Sequence, residues 1–120
     1  MAQKSILLVD DSRVARMMLR KMLPEGDYEV RQASSGAESL ELYRERVPDL
    51  VFLDLTMPDM DGFETLAGLK EIDADANVVV VTADIQESAS TRVMKLGAIG
   101  VVSKPPDPEH LIAYMKEYVL

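Results

Sequence analysis

Five polar residues with chemically useful side chains stand at, or just beyond, the ends of apolar runs in the sequence. They are Asp10, Asp11, Asp54, Thr82 and Lys104. Clustered carboxylates repel one another and shift each other's pKa values unless a cation lies among them. Mg²⁺ is a hard cation that proteins typically hold with one or two carboxylates, waters and phosphate oxygens. If the fold brings these residues together, they predict a magnesium site.

The lysine and the threonine add a second indication. A phosphoryl group needs its oxygens neutralised and hydrogen-bonded, which an ammonium and a hydroxyl opposite the acids can do. One carboxylate could itself be the nucleophile and form an aspartyl-phosphate. Each residue alone has a simpler explanation, since an acid after a strand can cap a helix and a lysine can be an exposed charge. Their joint occurrence favours phosphoryl chemistry.

The elements that must position these residues follow from hydrophobic patterning. Short unbroken apolar runs rich in β-branched residues are typical of strands buried on both faces. Four such runs are present: Ile6–Val9, Leu50–Leu53, Val78–Val81 and Ile99–Val102. A fifth segment, from Asp27 to Ala33, alternates apolar and polar residues, which indicates a less covered strand at a sheet edge.

Segments with helical periodicity lie after each predicted strand. Ser12, Ser35 and Asp107 are predicted N-caps. In the first helix, Val14, Met18 and Met22 form one apolar stripe and Ala15, Leu19 and Leu23 its neighbour. The fourth helix, from Gln86 to Leu96, is the most polar of the five. Most of the eight methionines sit at helical spacing, and we interpret them as core residues.

Strand and helix alternate five times, which predicts an α/β fold with a doubly wound parallel sheet. In such sheets, ligands bind outside the carboxyl ends of the strands, where the five polar residues would meet. The length of 120 residues predicts one domain, residues 1–120.

The amino-acid composition limits the kinds of partner that the chain is expected to bind. The chain has 13 Lys and Arg against 21 Asp and Glu, a net charge of −8, and no cysteine. A strongly acidic domain repels nucleic acids and anionic membranes, and without cysteine there is neither a disulfide nor a thiolate metal site. No apolar run approaches the roughly 20 residues of a membrane helix. We therefore expect a cytoplasmic protein without membrane insertion that binds metal cations or other proteins.

Four motifs, in order and in register, carry a family resemblance: "LLVDDS", "VFLDLTMPDMDG", "VVTA" and "VSKP". The sequence resembles the response-regulator receiver domains of two-component signalling, single-domain chemotaxis regulators included. That resemblance implies a flavodoxin-like (βα)5 receiver fold with strand order 2-1-3-4-5. It also implies that Asp54 accepts a phosphoryl group from a histidine kinase. Asp11 would then bind Mg²⁺, or Mn²⁺, directly and Asp10 mainly through water, and the backbone carbonyl of Thr56 would be a further ligand.

The resemblance assigns roles to residues on the other side of the site as well. Thr82 and Lys104 would hold the phosphoryl oxygens, and the peptide bond before Pro105 would be cis. The small residue Ala83 would leave room for a phosphodonor. Val101 departs from the family pattern, which has an aromatic residue there that is thought to turn inward when the threonine moves. The usual threonine–aromatic switch is therefore not available to this chain.

The function expected from the resemblance is a phosphorylation-activated signalling switch and not a dedicated enzyme. Its phosphoryl donor would be a sensor histidine kinase or a phosphotransfer protein. Its output, in chemotaxis or a phosphorelay, would be a contact with a partner protein through the fourth helix, fifth strand and fifth helix. Two alternatives remain: a metal-dependent phosphatase or phosphotransferase with an aspartyl intermediate, and a nucleotide- or flavin-binding domain. The chain lacks the D-x-D-x-[TV] motif of such phosphatases. It also lacks the GxGxxG and GxxxxGK[ST] motifs of nucleotide-binding domains.

Overall fold

The computed structural model describes residues 3–55, 61–83 and 86–120. Strands and helices alternate along the chain as predicted. The elements are β1 (Lys4–Val9), α1 (Arg13–Met22), β2 (Tyr28–Ala33), α2 (Gly36–Glu45), β3 (Leu50–Asp54), α3 (Gly62–Ile72), β4 (Val78–Thr82), α4 (Glu87–Lys95), β5 (Gly100–Ser103) and α5 (Pro108–Tyr118). No helix in these described ranges is long and apolar enough to cross a membrane.

The strands form one parallel sheet in the order β2-β1-β3-β4-β5. The predicted α/β fold, its strand order and the edge position of the alternating strand β2 are confirmed. The register places Asp54 of β3 opposite Val81 of β4, and Thr82 opposite Ser103 of β5. The carboxyl ends of the central strands are therefore level with one another, which is what brings their terminal side chains to one edge.

Helices cover both faces of the sheet, and each face has its own apolar core. On one face, α2, α3 and α4 pack over the sheet and contribute residues such as Tyr43, Leu66 and Val93. On the other face, α5 contributes the fully buried Leu111 and Met115. Strands β3 and β4 are buried along their whole length, as their unbroken apolar runs predict.

The first helix covers only part of its apolar surface. None of its side chains is buried, and Val14, Met17 and Met18 are 60%, 49% and 54% exposed. Of its two predicted apolar stripes, the one containing Leu19 packs against the sheet, together with Met22 at the helix end. A helix that lies on one side of a sheet buries only part of its surface, so Val14 and Met18 are left in solvent and only Met22 of their stripe is covered.

The interpretation of the methionines as core residues is wrong for most of those described. Met115 is fully buried, whereas Met17, Met18 and Met94 are about half exposed. Helical spacing shows only that a residue lies on a stripe, and the packing of the helix decides whether that stripe is covered.

Side-chain caps define the starts of four helices. The N-caps Ser12, Ser35, Asp61 and Asp107 each accept a hydrogen bond from a backbone N–H in the first turn. The three predicted caps are confirmed. Helix α4 differs because Gln86, its N-cap residue, makes no side-chain capping hydrogen bond.

Candidate functional site

Three carboxylates meet at the carboxyl ends of β1 and β3. Each of Asp10, Asp11 and Asp54 offers a carboxylate oxygen, and these oxygens all lie within 4.8 Å of one another. Asp10 and Asp54 are only 8% and 7% exposed, whereas Asp11 is exposed. Two buried acids beside a third, reachable from solvent, form an open site of concentrated negative charge.

The turn after β1 holds Asp10 from several directions. Its backbone N–H donates to the carbonyl of Ala33 at 3.1 Å, and its Oδ1 accepts from the Ser12 N–H at 2.9 Å. The Arg16 guanidinium donates to the Asp10 carbonyl oxygen, and its Nε donates to the Gln32 side chain at 2.9 Å. The first acid of the site is thus held rigidly between β1, β2 and α1.

Lys104 is the cation opposite these acids. Its Nζ lies 2.9 Å from an Asp10 carboxylate oxygen and 3.4 Å from one of Asp54. Burial alone would lower the pKa of Lys104, but the hydrogen bond to Asp10 and the negative charge of Asp54 outweigh it and raise the pKa. At neutral pH, Lys104 is therefore an ammonium group in contact with two of the three acids.

The strand ends on the other side of Asp54 carry the remaining predicted residues. Thr82 is buried at the end of β4, and its carbonyl accepts the Lys104 N–H at 2.8 Å. The peptide bond between Lys104 and Pro105 is cis. Ala83 is exposed directly after β4, and Val101 in β5 is half-buried against the core beneath α2, α3 and α4.

One predicted ligand cannot be placed. Thr56, whose carbonyl the resemblance assigns to the metal, lies outside the described residues. The chain on either side of that interval is held close together, because the Gly62 N–H donates to the carbonyl of Leu55 at 2.8 Å. A Cβ on Gly62 would lie 2.3 Å from the Leu55 Cα, so glycine is required there for a steric reason. The start of α3 is thus pressed against the residue that follows Asp54.

Sequence reasoning missed Arg16 and a cavity beside the acids. The cavity has a volume of about 180 Å³ and lies between α1 and the sheet, with mostly apolar walls and with Asp10, Asp54 and Lys104 at one end. Arg16 also lines it. The available signal for Arg16 was its position one turn after Ser12, the N-cap, which directs a basic side chain back toward the strand end.

The donor set fits a hard divalent cation. Three carboxylates face one ammonium, so the cluster of Asp10, Asp11, Asp54 and Lys104 keeps an excess of two negative charges. Two oxygens at the roughly 2.1 Å distance typical of Mg²⁺ are at most about 4.2 Å apart, so carboxylate oxygens within 4.8 Å of one another need only a small adjustment to share this cation. Asp54 also has the ammonium of Lys104 beside it, which suits an anionic group bound at this carboxylate.

Comparisons with known proteins agree with the fold. The sequence profile of the response regulator receiver domain matches residues 6–116. The chemotaxis protein CheY of Halobacterium salinarum is 42% identical over 103 residues, covering 85% of each chain. Sporulation initiation phosphotransferase F of Bacillus subtilis is 33% identical over 119 residues, covering 99% of this chain and 96% of the relative.

A solved structure agrees over nearly the whole chain. The CheX–CheY–BeF3–Mg complex from Borrelia burgdorferi contains a chain that superposes with a TM-score of 0.88 at 28% identity. The match covers 98% of this chain and 90% of that one. The profile match, the relatives and the parallel sheet in the order β2-β1-β3-β4-β5 lead to one conclusion: the chain belongs to the family of response regulator receiver domains.

Proposed function

We propose that this protein is a phosphorylation-activated signalling switch in which Asp54 accepts a phosphoryl group in a Mg²⁺-dependent reaction. The observation that carries the proposal is the position of the Asp54 carboxylate at the end of β3. It lies within 4.8 Å of the carboxylates of Asp10 and Asp11 and 3.4 Å from the Lys104 ammonium. The donor would be a sensor histidine kinase or a phosphotransfer protein.

In this proposal, Asp10, Asp11 and Asp54 hold Mg²⁺ or Mn²⁺, and the backbone carbonyl of Thr56 is a further ligand. When bound, the metal neutralises charge on the phosphoryl oxygens, so that an anionic carboxylate can attack an anionic group. The rigid hold on Asp10 keeps its carboxylate beside Asp54 at no further entropic cost.

Asp54 acts as the nucleophile. One of its carboxylate oxygens forms a bond to phosphorus while the bond from phosphorus to the donor atom breaks, and the donor keeps the electron pair of that bond. Lys104 already contacts Asp54, so its ammonium can pair with a phosphoryl oxygen placed there. The hydroxyl of Thr82, from the neighbouring strand, would hold another phosphoryl oxygen, and the exposed Ala83 leaves access for the donor.

The output of the switch would be a changed contact with a partner protein through α4, β5 and α5. Helix α4 begins shortly after Thr82 and Ala83, so a displacement of the threonine would reach it first. The relatives act in chemotaxis and in sporulation phosphotransfer, which supports either a motility partner or a further phosphotransfer protein for this chain. The protein would catalyse only its own phosphorylation and slow dephosphorylation.

The test is to incubate the protein with acetyl phosphate and Mg²⁺ and to locate the modified residue by mass spectrometry. We expect a single phosphoryl group on Asp54, no modification without Mg²⁺, and none in Asp54→Asn. Asp75→Asn, which removes an exposed acid far from the site, should behave like the wild type. Modification of another residue, or labelling of Asp54→Asn to the same extent, would contradict the proposal.

A further inference from the structure

Helices α3 and α4 are joined by a guanidinium stacked on an aromatic ring. The Arg92 guanidinium carbon lies 4.0 Å from the centroid of the Phe63 ring. Phe63 is half-buried in the first turn of α3, and Arg92 is exposed near the end of α4. A cation within about 6 Å of a ring centroid is attracted by the ring quadrupole. The contact therefore links α4 to the first turn of α3.

Phe63 is fixed relative to the proposed phosphoacceptor. Gly62 is pressed against Leu55, the residue after Asp54, and its N–H donates to the Leu55 carbonyl at 2.8 Å. The Asp61 carboxylate caps the helix by accepting the Glu64 N–H at 2.8 Å. A movement of the first turn of α3 away from the end of β3 would break the hydrogen bond between Gly62 and Leu55.

Arg92 stands on the less firmly held helix. Only Ala89 and Val93 of α4 are buried, and its N-cap Gln86 makes no side-chain capping hydrogen bond. A helix with few buried apolar side chains opposes local motion weakly. The Phe63–Arg92 contact is thus a connection between a fixed residue and a helix that can shift.

We propose that the Phe63–Arg92 contact holds α4 in the position it occupies while Asp54 is unmodified, and that phosphorylation of Asp54 must break this contact. This inference rests on the proposed function and names the element that regulates it. Val101 in β5 carries no ring, whereas Phe63 in α3 supplies an aromatic contact to α4. A restraint present only in the resting state lowers the apparent affinity for any ligand that favours the switched state.

The test measures the apparent affinity of Asp54 for Mg²⁺–beryllofluoride, a phosphoryl mimic, by fluorine NMR. Arg92→Ala and Phe63→Leu should each bind the mimic about two- to five-fold more tightly than the wild type, as expected for the loss of one exposed contact of this kind. Arg92→Lys should give an intermediate value, because its ammonium keeps the charge without the planar stacking. The double variant should bind no more tightly than either single variant, since both remove the same contact.

Lys95→Ala is the matched control. Lys95 is also exposed, basic and in the last turn of α4, so its removal has a similar effect on the helix dipole, and we expect wild-type affinity. Amide exchange in residues 86–96 without the mimic should be faster in Arg92→Ala than in Lys95→Ala. This second readout also carries the test if Phe63→Leu fails to fold.

Two failures are distinguishable. If the wild type binds beryllofluoride but Arg92→Ala binds it equally or more weakly, the inference is overturned and the proposed function stands. Additive effects of Arg92→Ala and Phe63→Leu would overturn it as well. If the wild type does not bind beryllofluoride at all, the proposed function is overturned and the inference falls with it.

Discussion

Helices α3 and α4 lie side by side on one face of the sheet, and they are held in different ways. Helix α3 buries Gly62, Thr65, Leu66 and Leu69 and has a carboxylate cap, whereas α4 buries two residues and has no side-chain cap. The first follows the strand that ends in Asp54, and the second follows the strand that ends in Thr82. This difference indicates that the contacts of α3 keep Asp54 in place, whereas α4 is able to shift when the site changes.

The largest effect on stability is expected from disturbing the close contact between the start of α3 and the end of β3. Gly62→Ala should lower the free energy of unfolding by about 3 kcal/mol, because the new Cβ would meet the backbone of Leu55. Gly68→Ala, in the same helix, is the control. Its Cβ would lie 3.0 Å from the end of the Leu40 side chain, which can move aside, so the change should stay within about 1 kcal/mol.

The measurement is urea unfolding of the wild type and both variants, followed by circular dichroism. Equal stabilities for Gly62→Ala and Gly68→Ala would show that the close approach of α3 to β3 is not rigid. The comparison between the two helices would then lose its basis.

The stabilisation by a bound metal should depend on the clustered carboxylates and not on Thr82. Mg²⁺ at ten times its dissociation constant should stabilise the wild type by about 1.4 kcal/mol, because it binds the folded state alone. Asp11→Ala should lose most of this gain, whereas Thr82→Ala should keep it, since the threonine hydroxyl is not one of the three clustered carboxylates.

Thermal unfolding with and without Mg²⁺ measures this stabilisation in each variant. Asp75→Ala, which removes an exposed acid outside the cluster, is the control. If Thr82→Ala abolishes the gain and Asp11→Ala retains it, the assignment of the metal to the acids is wrong.

The smallest effect concerns Lys104, which contacts both the acids and the end of β4. It pairs with Asp54 and Asp10 through its ammonium and with the Thr82 carbonyl through its backbone N–H. Its pKa is raised in the folded state, so its ion pairs stabilise the fold fully below the ordinary value of 10.5. That stability is lost as the pH rises through the folded-state pKa.

We therefore expect the difference in unfolding free energy between the wild type and Lys104→Met to be constant through neutral pH and to decline above about pH 10.5. Urea unfolding at a series of pH values measures this difference. Lys95→Met, which removes an exposed lysine of α4 outside the acid cluster, is the control. A decline that begins near pH 7 would contradict the paired state of Lys104.

Local sequence patterns were sufficient for the elements and for much of the candidate site. Three of the four apolar runs became the central strands β1, β3 and β4, which are buried because a strand covered on both faces has no position for a polar residue. The fourth became the edge strand β5, where Val101 is only half-buried, so its predicted burial on both faces is wrong. Ser12, Ser35 and Asp107 became N-caps because capping depends only on a few neighbouring backbone groups. The polar residues at the strand ends could be located in advance, because parallel strands bring their carboxyl ends to one edge.

The sequence by itself thus determined which segments form strands, which residues begin the helices, and which acids and which lysine meet at the sheet edge. Only the tertiary structure decided which stripe of α1 is covered, how Arg16 reaches the Asp10 carbonyl, and that Arg92 stacks on Phe63. The physical reason is the distance along the chain over which each feature is determined. Patterning and capping depend on neighbours within one or two turns, whereas the choice of a buried stripe or a stacking partner depends on how separate elements pack together.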